Sequence, residues 1–264
     1  MDADDSEAMS RPVHIAVLGP LEVRVGSTHI TVPGRRQRGI LAALALQSGR
    51  IVPTDHLIRA VWYDKPPRTA MGQIQTGIWM LRSALMAAGG PAEAVQSRVT
   101  GYRLNSDFCS VDIAGYRAKV AAARELHRWG RLNEAAMTVR SANELWRGPA
   151  LADITQQGLR SCSTRLEEEH IAAVHYRASL ELQLGRHEEV ISELFELVDL
   201  HPLREGLHAD LMLALYRSGR QAEALEVFHG VRRTLAEELG IDPGPTLRTL
   251  AQAILRQDSA LIPA

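Results

Sequence analysis

The chain has 264 residues, 45% hydrophobic and 23% charged, with a formal net charge of −1. This balance belongs to a folded soluble protein long enough for two domains, and excludes a disordered tract. No apolar run reaches the ~18–20 residues of a membrane span and no signal peptide is visible. Cys109 and Cys162 are too few and too isolated for a disulfide framework or a zinc site, so they read as reduced thiols of a cytoplasmic protein.

The near-neutral total hides an asymmetry. Residues 11–106 carry twelve Lys+Arg against four Asp+Glu, a balance of +8. Residues 1–10 carry −4, and residues 107–264 carry eighteen basic against twenty-three acidic groups, or −5. A basic half joined to an acidic half suggests a polyanion-binding module fused to a module of another kind.

In chain order, residues 1–11 read as a disordered acidic tail. HIAVLG (14–19), LEVRVG (21–26) and HITV (29–32) then read as three short strands, with turns at Gly19-Pro20 and Gly26-Ser27. RRQRGILAALALQSG clusters Ile40, Leu41, Leu44 and Leu46 at helical spacing and stops at Gly49. TDHLIRAVW reads as a second helix, with Thr54 as its cap and Leu57, Ile58, Val61 and Trp62 inward.

Past Pro66-Pro67, a third helix begins near Thr69. Ile74, Ile78, Leu81 and Leu85 form its buried stripe, and Thr69, Gly72, Thr76, Trp79, Met80 and Ser83 lie opposite. VQSR (95–98), the turn Val99-Thr100-Gly101 and YRLN (102–105) make a hairpin. Strands, three helices and a terminal hairpin describe a winged helix, whose third helix enters the major groove and whose hairpin reaches the adjacent minor groove. The fold expected over 12–107 is therefore an α+β winged helix-turn-helix.

The second half, 108–264, reads as all helical. Helix–Gly-Arg–helix junctions recur at Gly130-Arg131, Gly185-Arg186 and Gly219-Arg220, the last two 34 residues apart, which is the tetratricopeptide period. Ala224 and Phe228 give the small–large spacing at which paired helices interlock. The loop RGPALADI separates the first helix pair from the others. Stacked helix pairs offer surfaces for protein partners. The whole chain is thus expected to be mainly α.

Several stretches together resemble the Streptomyces antibiotic regulatory protein family of transcriptional activators. They are GRRQRGILAALAL, TDHLIRAVW, the paired prolines, LRSAL, TGYRL, VDIAGYR, LWRGPALADI and LGIDPGPTLRTL, spanning about His14 to Leu255. The resemblance implies an OmpR-like winged helix followed by a bacterial transcriptional activation domain. It also implies binding of promoter DNA at short direct repeats, as a homodimer or head-to-tail protomers, with recruitment of RNA polymerase holoenzyme. Implied targets are secondary-metabolite genes, and the implied location is the cytoplasm, on the bacterial nucleoid. Larger relatives continue into an ATPase and repeats, so the chain is a small member or the N-terminal part of a large one.

At Trp79-Met80-Leu81-Arg82 such relatives tend to read Ser-Arg-Leu-Arg, so a polar-basic pair is replaced here by an aromatic and a thioether. This removes the arginine that most often reads guanine.

Candidate DNA contacts are Arg35, Arg36 and Arg38 on the first helix, Lys65 and Arg68 before the third, and Thr69, Gln73, Thr76, Met80 and Arg82 on it. Arg98, Thr100 and Arg103 belong to the wing. The cations are expected to meet phosphates and Gln73 and Thr76 to meet base edges, with Met80 against a thymine methyl. Trp79 is expected to pack against the wing or a second subunit, with contact to DNA and plain exposure as the lesser alternatives.

No enzyme is expected, and no cofactor or metal. Glu167 and His170 have E-x-x-H spacing but lack a second copy, and GPGPT lacks the lysine of a phosphate loop. The alternative reading is a helical-repeat adaptor whose winged module no longer binds DNA.

Overall fold

The computed structural model describes residues 11–261. The expected acidic tail lies outside them except for Arg11, whose backbone N–H donates to Gly89 O at 3.2 Å. Two compact units form. The first runs to Ala121 and takes in Ser141–His170, and the second comprises Ala122–Arg140 and the chain from Ile171 onward.

In the first unit β1 (Val13–Ala16), β2 (Glu22–Val25) and β3 (Thr28–Ile30) form the expected antiparallel meander. Val13, Ile15, Val23 and Val25 alternate inward while Glu22 and Arg24 face solvent. α1 (Arg35–Leu46), α2 (Thr54–Trp62) and α3 (Ala70–Ala87) follow. The α3 stripe is as read: Ile74, Ile78, Leu81 and Leu85 are all buried.

Two details of α2 differ. Its cap is Pro53, and Thr54 is its first residue, with an N–H that donates to Thr100 O at 3.1 Å. Only Leu57 and Ala60 are buried, so Ile58, Val61 and Trp62 stay half-buried.

Two strands escaped the sequence reading because of their length. β4 (Val52–Pro53) pairs with the hairpin of β5 (Val95–Arg98) and β6 (Gly101–Leu104), giving a three-stranded sheet in the order β4-β6-β5. A Cβ on Gly101 would lie 2.0 Å from Val52 O, so this close approach requires glycine. β7 (Cys109–Val111) runs parallel to β1 at the edge of the other sheet, in the order β3-β2-β1-β7.

Asp112 opens α4 (Asp112–Arg128). Its carboxylate accepts the N–H groups of Val17 (2.9 Å), Leu18 (3.0 Å) and Ile113 (2.8 Å), where β1 runs out of strand partners. Burial pushes this carboxyl above its ordinary range, and the three N–H groups pull the other way.

RGPALADI, read as a loop between helix pairs, is a loop, and it belongs to the first unit. Arg147 N–H donates to Leu18 O at 2.8 Å, Leu151 N–H to Gly19 O at 2.8 Å, and Leu21 N–H to Asp153 Oδ1 at 2.9 Å. Trp146 stacks on His170, with centroids 4.0 Å apart, and meets Tyr116 edge-on at 5.7 Å. A Cβ on Gly158 would sit 2.1 Å from Arg59 O, so the chain after this strap packs directly on the α2 backbone. The E-x-x-H pair is structural: Glu167 Oε1 accepts Ala150 N–H at 2.5 Å while His170 carries the Trp146 ring.

The rest of the chain is helical: α5 (Leu132–Asn143) comes after α4, and α6 (Arg160–Gln183), α7 (Glu188–Leu200), α8 (Glu205–Arg217), α9 (Gln221–Leu239) and α10 (Pro245–Leu255) follow, with residues 141–143 and 160–170 belonging to the first unit. Gly130, Gly185 and Gly219 have φ of 73°, 76° and 75°. At each, the following arginine N–H reaches back 2.9 Å to the carbonyl of Leu126, Glu181 or Leu215. All three junctions are therefore the same Schellman turn, which fits only a residue free to adopt positive φ. Ala224 is fully buried and Phe228 packs against the same core, as the interlocking spacing predicts.

Two outcomes follow. A fragment ending at residue 107 lacks β7, Asp112 and the 145–158 strap, so it should lose the cooperative thermal transition of the intact chain by circular dichroism. Burial raises the Cys109 thiol to about 11, whereas Cys162 is only half-buried. At pH 8 a pKa near 11 leaves on the order of one thiolate in a thousand. Iodoacetamide should therefore label Cys162 in the native protein and Cys109 only after unfolding, as read by peptide mass spectrometry.

Candidate nucleic-acid interface

α3 buries one stripe against the first unit and turns the other outward. From Lys65 to Ala92 the sequence contains Lys65, Arg68 and Arg82 and no acidic residue. Lys65 and Arg68 are exposed in the loop that enters the helix, with no hydrogen-bond or ion-pair partner among the described residues. Tyr63, just before them, holds a φ of 59° and is exposed.

Thr69 and Gln73 are brought together: Gln73 Nε2 donates to Thr69 Oγ1 at 2.8 Å, and Gln73 is half-buried. Its nitrogen is thus engaged at the start of the helix, while its Oε1 is buried with no hydrogen-bond partner among the described residues. Thr76 is exposed but gives its hydroxyl proton to Gly72 O at 3.0 Å, leaving only its acceptor lone pairs and its methyl outward. Met80 departs further from its expected place. Its sulfur accepts from Gln37 Nε2 at 3.1 Å, and it fills a half-buried position between α1 and α3.

Arg82 also turns inward. Its Nε donates to Val95 O at 2.8 Å and its Nη2 to Ser97 Oγ at 2.9 Å, so it latches α3 to β5. A guanidinium spent on the wing is not free for a phosphate, and here geometry overrides the helical-wheel position. On the wing, Gln96 Oε1 accepts from Arg98 Nη2 (2.6 Å) and Arg103 Nε (2.8 Å). One amide thus gathers both cations on one face of the hairpin. Thr100 is exposed at the tip, and beside it Val99 is 105% exposed.

The three cations of α1 part company. Arg38 pairs with Asp153 and Arg35 with Thr155, so both hold the 145–158 strap. Arg36 lies over the Trp62 ring, 5.6 Å from its centroid, with its charge exposed. Arg36, Lys65, Arg68, Arg98 and Arg103 therefore remain as the outward cations among the candidates, and Arg35, Arg38 and Arg82 act within the fold.

One group was missed. Gln75 is exposed with no hydrogen-bond partner among the described residues, unlike Gln73. The signal was available: an amide four residues after an N-terminal threonine is placed to close on it. Trp79 is 66% exposed, so within this chain the wing does not cover it.

A family model for the bacterial transcriptional activator domain matches residues 111–255. Regulatory protein DnrI of Streptomyces peucetius is 36% identical, over 94% of this chain and 94% of DnrI. Regulatory protein AfsR of Streptomyces griseus is 38% identical over 96% of this chain but only 26% of AfsR. The structure of Mycobacterium tuberculosis EmbR in complex with a low-affinity phosphopeptide superposes with a TM-score of 0.84 at 35% identity. It covers 96% of this chain and 66% of that one. A winged helix followed by stacked helix pairs, the domain match and end-to-end similarity to DnrI all agree: the chain belongs to the Streptomyces antibiotic regulatory protein family of bacterial transcriptional activators.

Proposed function

We propose that the chain activates transcription by binding direct repeats in double-stranded promoter DNA and recruiting RNA polymerase holoenzyme. Residues 12–107 serve as the DNA-binding module and residues 108–264 as the activation domain. Protomers bind head to tail in the cytoplasm, at genes of secondary metabolism, and the chain performs no catalysis. The observation that carries this reading is the outward surface of the first unit. An 18-residue helix without acidic side chains lies next to a wing carrying Arg98 and Arg103. Phosphate contacts supply affinity there and exposed side chains of α3 supply selectivity.

A mobility shift with duplexes selected from a random pool tests the reading. Retention of no duplex at low salt would favour the adaptor alternative. If the five outward cations each neutralise a phosphate, the log–log salt slope is about −4.5, or roughly 500-fold in affinity between 50 and 200 mM. Arg36→Ala and Arg68→Ala should each reduce that slope by about one and weaken selected and scrambled duplexes alike. Arg82→Ala should leave the slope nearly unchanged but lower the melting temperature, since it breaks two bonds worth about 1–3 kcal/mol.

Base reading moves from Gln73 to Gln75. Gln75→Ala should cost about 1–3 kcal/mol on the selected duplex and little on a scrambled one. Gln73→Ala should weaken both equally, through the helix start. Anisotropy titrations of each variant on both duplexes separate the two.

A further inference from the structure

We infer that Trp79 reads thymine, its indole meeting the 5-methyl group and O4 of a thymine edge in the major groove. This deepens the DNA-binding reading and rests on it. At 100° per residue Trp79 shares a stripe with Gly72, Thr76 and Ser83, about 130° from the centre of the buried stripe. Gly72 presents no side chain, and a Cβ there would meet nothing within 4 Å. Ser83 is small and exposed. The indole is therefore the largest group on the outward face of the helix and is 66% exposed, with Met86, 53% exposed, one heptad further on. A single exposed ring is ordinary on a protein surface, so it is the place of Trp79 on the outward face of α3 that points to an occupant.

Charge decides which occupant. The helix and its entry loop carry cations and no acid over 65–92, and the wing latched to the same helix adds Arg98 and Arg103. A polyanion fits this surface better than a second copy of a chain whose net charge is −1. Within a duplex, the chemistry of the side chain selects the base. Indole offers an apolar face and one N–H donor, and it has no acceptor. It cannot take a proton from adenine N6 or cytosine N4. Thymine alone offers a methyl group beside an acceptor, at C5 and O4. Thr76, with its hydroxyl proton committed to Gly72 O, adds a second methyl to the same stripe.

The test uses the full chain and a duplex selected from a random pool. Thymines are replaced singly by deoxyuridine, which removes the methyl and keeps O4. Deoxyuridine at one or two positions should weaken wild-type binding by about fourfold each, the value of one buried methyl-sized group. Trp79→Ala should bind the selected duplex at least about tenfold less tightly and lose its response to deoxyuridine there. Binding to scrambled duplex and the salt slope should stay unchanged. Trp79→Phe should keep the methyl response. Equal deoxyuridine penalties in wild type and Trp79→Ala, or none in either, would overturn the inference while leaving DNA binding intact. So would a change in the oligomeric state off DNA on Trp79→Ala, which would give the indole to a second copy. Failure of the pool to yield any preferred duplex would remove the DNA reading itself.

Discussion

The backbone at the end of β1 has N–H groups that no strand satisfies, and much of the first unit is arranged around that deficit. Asp112 supplies the acceptors on one side, binding Val17 and Leu18 while starting α4. The carbonyls of Leu18 and Gly19 are taken from the other side by Arg147 and Leu151. A buried amide left unpaired costs about 1–3 kcal/mol, so each of these closures matters on the scale of a domain's net stability. Because the partners come from distant sequence, the winged module is completed only when the chain past residue 107 has folded onto it. The strap then reaches α1 through Asp153 and Thr155.

The same economy sorts the basic residues. A guanidinium bonded to a carbonyl or carboxylate has little left for a phosphate, whereas one resting on a ring or gathered by a neutral amide keeps its charge available. Arg38 and Arg82 belong to the first group and Arg36, Arg98 and Arg103 to the second. The outward field of the module is thus weaker than its +8 balance implies, and it is concentrated beside the wing and the entry to α3. With the polar side chains of α3 partly consumed by their own helix, the proposed DNA-bound form leaves selectivity to Gln75 and Trp79.

Periodicity made the α3 stripe, the wing and the stacked helix pairs legible from sequence, since each repeats a spacing over several residues. β4 and β7, two and three residues long, carry no period, and their existence depends on partners elsewhere in the chain. The partners that Gln73, Met80 and Arg82 find within the fold were not legible for a related reason. A helical wheel gives direction from the axis but not whether a neighbour intercepts the side chain. Thr69, Gln37 and the Val95 carbonyl do so. LWRGPALADI was recognised as a family signature, but its place in the first unit could not be read from residues whose partners lie more than a hundred positions earlier. Trp79 was correctly placed away from the core, and only the structure shows that the wing leaves it open to solvent.

Three junctions in the helical half share one turn, closed by the same backbone bond and the same glycine–arginine pair. A turn that closes identically in three neighbourhoods ends each helix in the same way whatever helix comes next. Lengthening such an array then needs only the copying of a helix pair with its turn, because the new pair inherits the apolar face that it buries on the last. The glycines at 130, 185 and 219 therefore tie the architecture to growth by duplication. Replacing any of them constrains what could be added after it as much as it destabilises what is already there.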